Sequence, residues 1–97
     1  MQPIKRIEII TDSLELPNLL LRLEAVGVSG YTVIKEVTGK GGRGLRAGDE
    51  LTGVFKNSYV IVACPEEEVS RVVEAVRPIL RRFGGVCLVT DAHWVIH

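Results

Sequence analysis

The sequence lacks an excess of either charge, and it lacks a long hydrophobic run. Its 97 residues include 12 lysines and arginines and 12 aspartates and glutamates, so the formal net charge is zero. Zero net charge argues against nucleic acid or an anionic membrane as the main partner, because both attract an excess of positive charge. No apolar segment approaches the roughly 20 residues that span a bilayer. Residues 1–6 lack the apolar core of a signal peptide, so we expect a cytoplasmic protein.

Cysteine is scarce as well. Cys64 and Cys87 both fall in apolar, strand-like runs, which predicts buried free thiols rather than a disulfide or a redox site. The length predicts a single domain over residues 1–97. Because a chain this short has a small core of its own, a hydrophobic content of 46% suggests that copies share apolar surface.

Residue periodicity divides the chain into six elements and one long loop. Period-two and continuous apolar runs predict strands, and apolar residues at helical spacing predict helices. The predicted elements are a strand over 4–11, a helix ending near 26, a strand over 31–38, a loop over 39–53, a strand over 54–64, a helix over 66–83 and a strand over 86–97. This βαββαβ order is the α+β ferredoxin-like arrangement, a four-stranded antiparallel sheet with two helices on one face.

Local signals set the expected helix ends. Gly27 and the pair Gly84–Gly85 are placed to end the two helices. The acidic run 66–68 should open the second helix, where carboxylates suit the positive end of the helix dipole. Pro78 removes one backbone hydrogen bond, so we expect it to kink or divide that helix.

The loop over 39–53 is rich in glycine and carries three cations. Glycine lets backbone amides approach a ligand closely, and Lys40, Arg43 and Arg46 supply positive charge beside them. This combination predicts an anion site, most plausibly for phosphate. On these residues alone, a solvated hairpin loop without a ligand explains the pattern equally well.

Several short segments together resemble PII signalling proteins. In that family a G-x-(S/T)-G-x-T-V stretch follows the first helix and precedes a long loop, and residues 27–33 read G-V-S-G-Y-T-V. K-R-I-E-I-I at 5–10 and V-x-x-V-V-E-A-V at 69–76 are similar too. The likeness covers nearly the whole chain. It implies a homotrimer that binds adenine nucleotides in clefts between subunits.

The resemblance also implies which residues meet the nucleotide. Adenine is expected near five residues, namely Ile10, Gly30, Tyr31, Thr32 and Ala63. The phosphates are expected near five others, namely Gly39, Gly41, Arg43, Gly84 and Gly85. From charge and position we add Arg46 and Arg82.

The sequence departs from the nitrogen-signalling members of that family. The loop is short, at roughly fifteen residues, and has no tyrosine that could be uridylylated. Gly44 and Asn57 stand where those proteins have the glutamine and lysine that serve 2-oxoglutarate, and Val86 replaces a further lysine. The sequence ends at His97, before the basic tail that reaches the triphosphate. Fewer cations predict a preference for ADP or AMP over ATP.

This pattern is similar to the PII-like proteins of inorganic-carbon metabolism, which include the carboxysome-associated PII proteins and the SbtB regulators of bicarbonate transport. The similarity implies bicarbonate as a co-ligand and a carboxysome or bicarbonate-transporter protein as a partner. We therefore predict a non-enzymatic signalling protein whose glycine-rich loop is ordered by bound nucleotide. Such a switch requires the nucleotide to bind the two states of the loop with different affinities.

Three alternatives stay open at this point. One is a structural or divalent-metal-handling trimer of the same fold, using Asp91, His93 and His97. Within one chain the two histidines lie roughly 13 Å apart along a strand, so we expect no single-chain metal site. Another is a nitrogen-regulatory PII protein. An enzyme is disfavoured, because the sequence has no nucleophile-like motif and the glycine-rich loop lacks the G-K-(S/T) ending of a P-loop.

Overall fold

The first strand lies inside the sheet and pairs on both of its sides. The computed structural model describes residues 1–39 and 56–97. Its elements in chain order are β1 (Gln2–Asp12), α1 (Leu16–Ala25), β2 (Thr32–Val37), β3 (Asn57–Cys64), α2 (Val69–Phe83) and β4 (Val86–Trp94). The strands form one sheet in the order β2-β3-β1-β4, and every neighbouring pair is antiparallel. The predicted ferredoxin-like arrangement is confirmed.

The core lies between one face of the sheet and the two helices. Alternate residues of β1 and β3 point to this face, and they pair in register as Ile7 with Val62 and Ile9 with Val60. The helices bury one apolar stripe each against them, comprising Leu19 and Leu23 of α1 and Val72, Val76 and Ile79 of α2. Since strand residues alternate between faces, every second position stays outside this core.

Several element boundaries in the structure differ from the predicted ones. The acidic run Glu66–Glu68 forms a short 3-10 turn, and α2 begins only at Val69. β4 ends at Trp94, three residues before the predicted end. Cys64 is buried and Cys87 half-buried, and both are free thiols. Burial raises the pKa of each thiol, which keeps it protonated and unreactive near neutral pH.

Helix α2 runs through Pro78 as one helix, so of the two expected outcomes, a kink or a division, division does not occur. Pro78 is exposed. Val76 and Ile79, on either side of it, are buried in the core. On the neighbouring helix, Nη1 of Arg22 lies 3.5 Å from the Ala75 carbonyl, one turn before the proline.

The sheet face away from the helices is open in the single chain. It carries exposed apolar side chains, with Ile34 and Leu88 each 51% exposed. A polar group lies among them: Arg6 forms a 2.9 Å ion pair with Glu8, and the Tyr59 hydroxyl donates to the same carboxylate. That hydrogen bond is the main cause of the raised pKa of Tyr59. We call this surface the open sheet face.

Two serines bind the backbone where the pairing of β2 with β3 is irregular. The pairing shifts register between Ile34 and Val37, and the Lys35 carbonyl turns out of the ladder. It lies 3.1 Å from the Ser13 hydroxyl and 2.9 Å from the Ser58 hydroxyl. Ser58 is buried, so this contact anchors the end of β2 to the turn before α1.

Candidate functional site

The end of β1 meets the turn between α2 and β4. Thr11 is buried, and its hydroxyl donates a 3.0 Å hydrogen bond to the Gly84 carbonyl. A Cβ placed on Gly85 would lie 2.3 Å from the Ile10 carbonyl oxygen, so only glycine allows these two backbones to approach so closely. Ile10 also pairs with Val86 at the start of β4. The structure therefore brings Ile10, Gly84 and Gly85 together, as three of the predicted site residues.

Gly84 ends α2 through its backbone conformation and a backbone hydrogen bond. It has φ = 80°, a left-handed value that favours glycine, and its N–H donates a 2.9 Å hydrogen bond to the Leu80 carbonyl. This confirms the glycine pair as the helix stop. Because the Gly84 N–H is already used by the helix, the Gly85 N–H is the amide of the pair that could meet an anion.

Gly39 lies toward the same edge of the sheet. It follows β2, whose last residue Val37 pairs with Asn57, and Asn57 in turn pairs with Asp12 at the end of β1. We call Ile10, Gly39, Gly84 and Gly85 the glycine edge.

A second group of predicted residues lies at the other end of β2 and β3, level with Arg6 to Glu8 of β1. Thr32 begins β2 and pairs with Ile61, and continuing that register puts Gly30 level with Ala63. Tyr31 precedes β2, and its hydroxyl donates a 3.2 Å hydrogen bond to Glu24 of α1. Burial and this hydrogen bond raise the pKa of Tyr31. We call Gly30, Tyr31, Thr32 and Ala63 the tyrosine edge.

The two edges are apart within one chain. Ala63 pairs with Arg6, which is four residues before Ile10 on β1. Four residues of strand span roughly 13 Å. Ile10, expected beside the adenine, thus lies with the glycines expected beside the phosphates.

The other predicted residues lie elsewhere. Gly41, Arg43 and Arg46 fall outside the described residues. Arg82 lines a groove between α1 and α2, where its guanidinium carbon lies 5.4 Å from the centre of the Phe83 ring. Its contact with a nucleotide stays a prediction.

Sequence reasoning missed the two side chains that position the edges, Thr11 and Glu24. Thr11 is only the last residue of the predicted first strand, yet it binds the turn after α2, 73 residues later. Glu24 lies seven residues before Tyr31 and holds its hydroxyl. The alternation of β1 places Thr11 on the buried face with Ile7 and Ile9, and this was the available signal.

Replacing Thr11 with valine should lower the free energy of unfolding by about 1–3 kcal/mol, because the part-buried Gly84 carbonyl loses its partner. Replacement with serine keeps the hydroxyl and removes one methyl group, at a cost of about 1 kcal/mol. Urea denaturation of both variants measures the difference. If the serine variant proved the less stable of the two, methyl packing rather than the hydrogen bond would hold this turn.

The residues considered for a metal site are otherwise engaged or scattered. Asp91 is bound by the Lys5 ammonium, and this hydrogen bond holds the pKa of the carboxyl below its usual range. Over residues 1–39 and 56–97, no three His, Cys, Asp or Glu side chains gather into a group that could hold a metal ion. In the same ranges, no helix is long and apolar enough to cross a membrane.

The family model described as nitrogen regulatory protein P-II matches residues 4–96. The chain belongs to the PII family. A comparison with curated proteins finds no match.

Solved structures of PII-like proteins match the chain over nearly its whole length. CPII of Thiomonas intermedia K12, bound to ADP and bicarbonate, is 30% identical with a TM-score of 0.78, covering 95% of this chain and 88% of CPII. The same protein bound to ADP, AMP and bicarbonate gives 28% identity and a TM-score of 0.81, covering 98% and 96%. A PII-like signalling protein of Thermus thermophilus is 23% identical with a TM-score of 0.74, covering 97% and 91%, and supports the PII fold alone.

Proposed function

We propose that this PII family member is a regulatory protein that binds ADP or AMP, with bicarbonate as co-ligand, in clefts between the subunits of a homotrimer. The single PII-like domain over residues 1–97 supplies both walls of each cleft. CPII, which carries ADP, AMP and bicarbonate in solved structures, supports this choice of ligands. Inorganic-carbon metabolism, with a carboxysome or bicarbonate-transporter protein as receiver, is the setting that fits those ligands.

The separation of the two edges is the observation that carries the proposal. The glycine edge and the tyrosine edge lie apart on the sheet, at opposite ends of β2, which supports a site in which each edge supplies one half. Packing the open sheet faces of three copies together would bring one edge of each subunit toward the other edge of its neighbour. It would also cover exposed apolar side chains, including Ile34 and Leu88.

Each edge offers a different chemistry to the nucleotide. At the tyrosine edge, Tyr31 is partly exposed and presents an aromatic surface suited to a base. At the glycine edge, the backbone around Gly85 offers an amide suited to a phosphate oxygen. Arg43 and Arg46, whose chain segment begins just after Gly39, would supply the positive charge that the glycine edge lacks.

Signalling rather than catalysis is the proposed outcome of binding. PII family proteins are generally non-enzymatic. Nucleotide binding would order the loop over 39–53 for recognition by a second protein in the cytoplasm, where adenine nucleotides are available. The free energy for that ordering would come from contacts made only in the bound state.

Calorimetric titration of ADP, with the mass of the same samples measured by light scattering, tests the proposal. We expect a mass of three chains and one ADP per chain. Bicarbonate should raise the ADP affinity, and 2-oxoglutarate should leave it unchanged, because Gly44 and Asn57 stand where its partners would be. A monomer mass at micromolar concentration, or the absence of any nucleotide binding, would refute the intersubunit site.

The matched comparison is ATP in place of ADP. We expect ATP to bind no more tightly than ADP, because Val86 stands where the family places a phosphate-binding lysine. A charge-assisted hydrogen bond to phosphate contributes roughly 1.5–3 kcal/mol, so an intact triphosphate site would show itself as a preference for ATP of tenfold or more, on the order of 1.4 kcal/mol.

A further inference from the structure

A groove between the two helices contains an arginine from each helix, Arg22 and Arg82. Its cavity of about 340 Å³ is within the range of small-ligand sites. The groove is lined by Glu15, Asn18, Arg22, Pro78, Ile79, Arg82 and Phe83. We call it the helix groove. All of its lining residues belong to α1, α2 or the turn before α1, on the helical side of the sheet.

Two arginines from different helices line this groove without a carboxylate partner. Among the described residues neither Arg22 nor Arg82 forms an ion pair. The other arginines of α2 with an acid within reach do pair, as Arg71 with Glu68 and Arg77 with Glu74. Arg22 and Arg82, like Arg81, therefore have no acidic partner among the described residues, and these two line the groove.

Arg22 is also short of hydrogen bonds. Its Nε is buried and has no acceptor among the described residues. Its Nη1 reaches the Ala75 carbonyl only at 3.5 Å, the outer limit of a hydrogen bond. A guanidinium has five N–H groups in a planar fork, and a carboxylate matches two of them at once. A small rotation of the Arg22 side chain would let its guanidinium donate to an acceptor in the groove.

The remaining walls determine which anion fits. Pro78, Ile79 and Phe83 provide an apolar surface, which suits a hydrocarbon part of the ligand. Glu15 places one negative charge in the same groove, and it repels a doubly charged phosphate more strongly than a singly charged carboxylate. Asn18 adds an amide that can donate to an oxygen.

We propose that the helix groove binds a small organic carboxylate, with its charge between Arg22 and Arg82 and its hydrocarbon part against Pro78 and Phe83. This proposal gives Arg82 a ligand in the helix groove in place of the nucleotide contact that its charge and position predicted. Such a site would let a metabolite carrying a carboxylate and an apolar chain act on the same protein as the nucleotide.

Titration of butyrate into ADP-saturated protein, followed by amide chemical shifts in NMR spectra, tests this site. Saturating ADP removes binding at the nucleotide cleft from the measurement. We expect saturable shifts at millimolar butyrate around Asn18, Arg22 and Arg82, with inorganic phosphate at equal concentration giving weaker binding. Linear shifts without saturation, or tighter binding of phosphate than of butyrate, would overturn the proposal.

Three substitutions distinguish butyrate binding in the helix groove from nonspecific attraction to surface charge. Arg82→Gln should weaken butyrate binding about tenfold, the effect of losing one charge-assisted hydrogen bond. Arg81→Gln is the matched control, because Arg81 is the adjacent arginine in the last turn of α2 and does not line the groove. Glu15→Gln should strengthen binding roughly threefold by removing the like charge. If Arg81→Gln weakened butyrate as much as Arg82→Gln, or Glu15→Gln weakened it, the carboxylate would not lie in the helix groove.

Discussion

Replacing Gly85 with alanine should remove about 3–5 kcal/mol of folding stability, a large share of the roughly 5–15 kcal/mol typical of a domain. Two costs combine. At φ = 127°, Gly85 occupies a backbone region that residues with a side chain avoid, at about 1–3 kcal/mol. The added Cβ would also lie 2.3 Å from the Ile10 carbonyl oxygen, so one of the two backbone segments must move.

Gly27 provides the control for this substitution. It too has a positive φ, 81°, but a Cβ there meets nothing within 4 Å. Gly27→Ala should therefore show the backbone cost alone, about 1–2 kcal/mol. Urea or thermal unfolding of both variants gives the difference, which measures the contact between Gly85 and β1. Equal losses in the two variants would mean that the turn relaxes around the new methyl group at no cost.

Replacing Arg43 with alanine should weaken ADP binding by about 10–150-fold and leave the proposed trimer intact. Arg43 lies outside the described residues, and the prediction rests on the sequence: it is the first arginine of the glycine-rich loop and its fork can hold a phosphate or bicarbonate with two hydrogen bonds. Losing such a contact costs roughly 1.5–3 kcal/mol, and 1.4 kcal/mol is a factor of ten. Calorimetry with ADP, with and without bicarbonate, measures the change.

The neighbouring cation and the conservative variant serve as controls. Lys40→Ala should have a milder effect, because an ammonium offers only a point charge. Arg43→Lys should recover part of the affinity and not all of it. Wild-type affinity for ADP in the Arg43→Ala protein would make this arginine a solvated surface charge, and another residue would have to hold the phosphates.

Local patterns were sufficient to predict most of the fold. The leucines of α1 and the valines of α2 recur at helical spacing, and the residues they predict as core, such as Leu19, Leu23 and Val76, are buried. The helix stops at Gly27 and Gly84 follow from a property of glycine itself, a positive φ. These features depend on residues close together in the chain, so they can be predicted from the sequence.

Contacts between distant residues could not be predicted in the same way. Nothing near Pro78 in the sequence shows that α2 continues through it as one helix. The hydrogen bond from Thr11 to Gly84 joins residues 73 apart, and the serines around Lys35 come from different elements. The division of the predicted site into two edges depends on strand register, and the register shift between Ile34 and Val37 left no mark in the sequence pattern.

The Arg6–Glu8 ion pair on the open sheet face has a consequence for the single chain before it meets other copies. Before the proposed trimer forms, the single chain exposes apolar strand residues such as Leu88, and strands with exposed apolar side chains invite aggregation. The Arg6–Glu8 ion pair interrupts this apolar surface with charge. A copy that packed on it out of alignment would strip water from the half-exposed Arg6 side chain without replacing it. In the proposed assembly the pair would therefore disfavour both aggregation and misaligned packing.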